Sequence, residues 1–165
     1  MAVVADGRSR GVGTRLFTES QSKWFADDQY DLVVAELDDP RVYPVLNDID
    51  PERRIQFYSK VGCRLVCGPY FAPCVRPVGE RVYDMLLAVL GGSARAVHHV
   101  PPAVSVEFVA RWLKDYFDWD TDRGQDRGDV EWLLAAYVGA GTVELKPVAD
   151  YRSWDPPTVP SRRAQ

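Results

Sequence analysis

Seven consecutive residues, Arg8-Ser9-Arg10-Gly11-Val12-Gly13-Thr14, combine glycines and arginines in a way that could hold an anion. They follow a short apolar run, MAVVAD, which reads as the end of a strand closed by Asp6-Gly7. They precede an amphipathic helix read over residues 13–26 from the spacing of Leu16, Phe17, Trp24 and Phe25. Strand, glycine loop and helix together make an anion cradle. Glycine lets backbone approach a ligand closely, and the free N–H groups of a first helical turn meet it with the positive end of the helix dipole. A pyrophosphate fits that description. Glycine-rich helix starts with arginines nearby are also plain turns, so a second motif has to decide.

The second motif is Phe57-Tyr58-Ser59-Lys60-Val61-Gly62, at the end of a helix read over residues 51–61. Asp50 is its expected cap, Pro51 its first residue and Gly62 the glycine that stops it. Between the motifs, residues 31–36 (DLVVAE) read as a strand buried on both faces, followed by a loop carrying Pro40, Pro44 and Asn47. Residues 63–67 and 81–90 read as an antiparallel pair joined by the Pro-rich GPYFAPCVRPVGE. Past Gly91-Gly92 a helix is expected over 103–117, with Val106, Val109, Trp112, Leu113 and Phe117 on one face. An acidic loop (118–129), a short helix (130–138), a strand-like TVELKPV and a polar, Pro-rich tail complete the chain.

At 165 residues and 46% apolar, the chain is long enough to bury a core without disulfides. A net charge of -4 and the lack of a basic stripe argue against broad nucleic-acid binding. No apolar run reaches membrane-spanning length, and MAVVADGRSR lacks the apolar core of a signal peptide. A cytoplasmic protein with no membrane partner is the expectation. Cys63, Cys67 and Cys74 then read as reduced thiols.

Together, the glycine loop and the helix end resemble the GNAT acyltransferase superfamily, whose members carry a Q/R-x-x-G-x-G/A loop for the pyrophosphate of acetyl-coenzyme A and a later F-Y-x-x-x-G-F helix end. Arg8 to Gly13 matches the first motif, and Phe57, Tyr58 and Gly62 match the second, with Cys63 where the final aromatic is common. The resemblance covers roughly residues 1–90. It implies a partial GNAT-like α/β fold: a mixed central sheet with flanking helices, extended by a small helical part over 91–150 and a flexible tail over 151–165. It also implies transfer of an acetyl group from acetyl-coenzyme A to an amine. Gly11, Val12, Gly13 and Thr14 would hold the pyrophosphate through backbone groups, with Arg8 and Arg10 adding charge-assisted contacts. Tyr58 would protonate the leaving thiolate, a task suited to a phenol, ordinarily protonated at neutral pH. The plainer reading makes Tyr58 an aromatic packing beside Phe57. Glu36, near the end of an apolar strand where burial makes a carboxylate a better base, is the candidate to activate the amine. Its alternative is a strand-end residue facing solvent or paired with an arginine.

Two departures qualify the resemblance. The asparagine that many members carry seven residues before the tyrosine is Pro51 here, so one pantetheine contact that the resemblance implies is not carried over. The strands and helices that normally precede the glycine loop are missing, so the chain is expected to be a truncated member completed by its own C-terminal part, by a second copy or by a partner along an open strand edge. A catalytically incomplete remnant that binds coenzyme A or another protein is the alternative function. The acidic loop resembles an EF-hand calcium loop, with carboxylates at its first, third, fifth, ninth and twelfth positions, but Arg123 stands where the turn glycine belongs. A solvated acidic linker is the simpler reading. His98, His99 and the cysteines lack zinc-ligand spacing and read as loop residues and thiols. Cys67 and Cys74 would flank the acceptor pocket. Trp112, Trp119 and Trp132 read as core, with a partner surface as the alternative.

Overall fold

A computed structural model describes residues 11–26, 30–45, 50–74, 81–118, 127–139 and 141–159. The strand expected over 1–6, the arginines Arg8 and Arg10, most of the acidic loop and the end of the tail lie outside them. The elements run α1 (Val12–Ala26), β1 (Leu32–Asp38), α2 (Pro51–Lys60), β2 (Arg64–Val66), β3 (Met85–Gly92), β4 (Val97–His99), β5 (Pro102–Ser105), α3 (Val106–Asp118), α4 (Arg127–Ala135), β6 (Thr142–Pro147) and a 3-10 helix (Val148–Ser153). Among the described residues, six strands form one sheet in the order β1-β3-β2-β6-β5-β4. Every pairing among them is antiparallel, which corrects the mixed sheet expected from the sequence.

The boundary expected at residue 90 falls inside β3. The helical extension expected over 91–150 contributes two helices but also β4 and β5, and the strand-like TVELKPV becomes β6, which pairs directly with β2. His98 and His99, expected in a loop, lie in β4 at the far edge and are exposed. The start of the helix expected at 103 is instead β5, because Pro102 is tolerated at the first position of a strand and Val104 points inward to a fully buried site. The tail packs further than its composition suggests. Tyr151 and Val159 are 2% and 7% exposed.

Strand alternation divides the core in two. Met85, Leu87 and Val89 of β3 face a first cluster with Val34, Val66, Val104, Leu145 and the inner sides of α3 and α4 (Val109, Leu113, Phe117, Val130, Leu133). Leu86, Ala88 and Leu90 face a second cluster with Leu37, Leu65, Phe17 of α1, Ile55 of α2, Val148 and Tyr151. Burial on both sides explains why MLLAVL is a continuous apolar run. Beyond β2 the second face becomes polar: the register Ala103↔Glu144 and His98↔Ala103 places the exposed Glu144 and His98 there.

The α2 boundaries follow from local chemistry. Asp50 accepts hydrogen bonds from the backbone N–H groups of Glu52 and Arg53, Pro51 opens the helix, and Gly62 lies just past the C-cap at φ +80°. In α1, Gln21 donates through Nε2 to the Leu90 carbonyl at 2.7 Å. Gly91 leaves room for Phe25: a Cβ there would meet the ring at 2.6 Å.

Candidate functional site

Gly11 stands at φ +75° immediately before α1, a conformation that favours glycine, and a Cβ there would meet none of the described residues within 4 Å. Val12, Gly13 and Thr14 form the first turn, which contains no acidic side chain. Phe17, one turn further on, is buried and packs edge-to-face on Phe57 and Tyr58, with ring centroids 6.0 and 6.3 Å away. Phe57 and Tyr58 themselves meet at 5.2 Å. The glycine-headed helix and the Phe-Tyr helix end therefore share the second face of the sheet. Tyr58 is half-buried, and its backbone carbonyl accepts from the N–H of Cys63.

Glu36 lies elsewhere. In the β1–β3 register it stands opposite Leu87, a residue of the first cluster, whereas its neighbour Leu37 stands opposite Leu86 of the second. The sheet separates Glu36 from Tyr58, so the expected acid and base are not brought together. The cause is strand parity, since a side chain one residue along β1 would have pointed the other way. Glu36 instead accepts from two phenols, Tyr70 Oη on Oε1 and Tyr116 Oη on Oε2, the latter at 3.1 Å. Trp112 lies one turn before Tyr116 on α3, stacks on it at 5.1 Å, and lies 6.0 Å from Tyr70. Burial first, and then the Glu36 carboxylate, push the Tyr116 phenol up to about 12 and Tyr70 further still.

Neither tyrosine stood out in the sequence. Tyr70 sits in the Pro-rich connection, and Tyr116 is placed by the same α3 periodicity that buries Leu113 and Phe117. The four-residue spacing of Trp112 and Tyr116 was the available signal, because such residues share a helix face.

The other candidates divide between contacts and their absence. Cys63 is raised to about 12 by burial, and Cys67 is raised by burial and then by Glu144, so neither favours the thiolate that covalent acyl transfer would require. Asp129, twelfth in the acidic loop, is buried, accepts from Tyr83 Oη at 2.8 Å and lies 3.9 Å from Arg81. Its carboxylate is thus engaged by Tyr83 and Arg81. Among the described residues, no three His, Cys, Asp or Glu side chains are grouped to hold a metal, and no helix is long and apolar enough to cross a membrane. Trp112 is half-buried against the first cluster, as is Trp132; Trp119 lies outside the described residues. Compared with known proteins, the chain matches no family model, no curated protein and no solved structure.

Proposed function

We propose that the chain binds acetyl-coenzyme A at the start of α1 and transfers its acetyl group to an amine. The observation that carries this reading is the contact of Phe17 with Phe57 and Tyr58, which joins the glycine-headed helix to the Phe-Tyr helix end on one face of the sheet. In the transfer, a neutral amine attacks the thioester carbonyl carbon, the carbon–sulfur bond breaks, and the thiolate takes its proton from the Tyr58 hydroxyl. The proton lost by nitrogen passes to solvent, from which the Tyr58 phenolate recovers its own; Glu36, on the other face, takes no part. Holding thioester and amine together supplies much of such an acceleration.

Two observations support the cradle: the absence of a described side chain within 4 Å of a Cβ at Gly11, and the acid-free first turn of α1. A second reading, binding without turnover, is favoured by the separation of Glu36 from Tyr58. The experiment that tests transfer is release of free thiol from acetyl-coenzyme A in the presence of a panel of amines. Turnover that falls about 100-fold or more in Tyr58→Phe, with coenzyme binding retained, supports transfer. Binding with no thiol release under any amine supports the second reading.

A further inference from the structure

We infer that Glu36, with Trp112 and Tyr116 beside it, forms a binding subsite for a primary ammonium cation, on the opposite face of the sheet from Tyr58 and independent of the acyl-transfer reading. Six of the half-buried or buried carboxylates, Asp31, Asp38, Asp39, Asp50, Glu52 and Asp129, lie within ion-pair distance of an arginine. Glu36 is half-buried too, yet among the described residues its carboxylate meets only two neutral hydroxyls. The Arg54 guanidinium, which reaches the backbone of Glu36, donates to the Asp38 carboxylate at 2.7 Å and to the Glu36 carbonyl at 3.2 Å rather than to the Glu36 side chain. A carboxylate drawn out of water without a counter-charge is costly, and a bound cation offsets that cost.

The geometry selects the kind of cation. Each carboxylate oxygen has two acceptor positions, and each phenol takes one, so both oxygens keep a position for a further donor. An ammonium group with N–H bonds fills these positions, whereas a quaternary ammonium has no proton to offer. The two phenols hold the carboxylate in one orientation, and partial burial strengthens its attraction for a cation over that of a solvated group. The stacked Trp112 and Tyr116 rings supply an apolar wall for the carbon chain attached to the nitrogen. Because α3 and the Tyr70 segment come from different parts of the chain, the site exists only when the sheet and α3 are assembled.

The test is a titration of the full chain with n-butylammonium chloride, and separately with tetramethylammonium chloride, at matched ionic strength and without acetyl-coenzyme A. Thermal shift and the indole N–H signal of Trp112 are followed, that signal being assigned with Trp112→Phe. The expected result is a saturable response to n-butylammonium that moves the Trp112 signal, is roughly ten-fold weaker for tetramethylammonium, and is lost in Glu36→Gln. No saturable response of the wild type, an equal response to both cations, or a response that persists in folded Glu36→Gln would overturn the inference. The comparison of two cations on the wild type needs no variant to fold. Failure here leaves the thiol-release test of the transfer reading untouched.

Discussion

Tyr70 and Tyr116 serve the same carboxylate from different depths, so deleting each hydroxyl should cost differently. Tyr70 is 5% exposed, so in Tyr70→Phe no water takes the place of its buried hydroxyl and Glu36 loses that donor, at a cost of about 1–2 kcal/mol. Tyr116 is half-buried, water can replace its hydroxyl, and Tyr116→Phe should cost about 1 kcal/mol or less. Urea unfolding of the two variants checks the order, and a larger loss in Tyr116→Phe would contradict it. The same phenols set an alkaline limit. A group whose folded pKa is raised contributes stability in full below its unfolded value, about 10 for a phenol, and loses it as pH climbs through the folded value. For Tyr116 that window ends at about 12. Stability should therefore fall between those limits, and the fall should be shallower in Tyr116→Phe than in the wild type.

At the scale of elements, α2 shows how far local chemistry carries. Its cap, its proline and its terminal glycine are all adjacent in sequence to what they terminate. Asp50→Ala removes the acceptor for two backbone N–H groups and should cost about 1 kcal/mol in urea unfolding, with Asp50→Asn close to wild type. The β4–β5 hairpin was not legible for the opposite reason. Its strands are three and four residues long, too short for a periodic signal, and their pairing depends on β6 some forty positions downstream. The side of the sheet that Glu36 faces was equally hidden. A strand with a near-continuous apolar run carries no polar–apolar alternation to show its faces, so only the register against β3 reveals that Glu36 and Tyr58 part company.

At the scale of the whole molecule, one sheet unites parts of the chain that composition would separate. β2 pairs with β3 on one side and with β6 on the other, so the first ninety residues and the C-terminal part share both the sheet and its first core cluster. Val159 belongs to that cluster, and Val159→Asp, which forces a charge into it, should cost more than about 2 kcal/mol in urea unfolding, whereas an unpacked tail would tolerate the change. The central claim is that the glycine-headed α1 holds a pyrophosphate. The most direct measurement is a thermal-shift titration with acetyl-coenzyme A of the wild type and of Gly13→Glu. A glutamate in the first turn favours the helix itself while repelling a phosphate placed there. A saturable rise in the wild type that vanishes in folded Gly13→Glu is the result predicted. No rise in the folded wild type, or an undiminished rise in the variant, would contradict it.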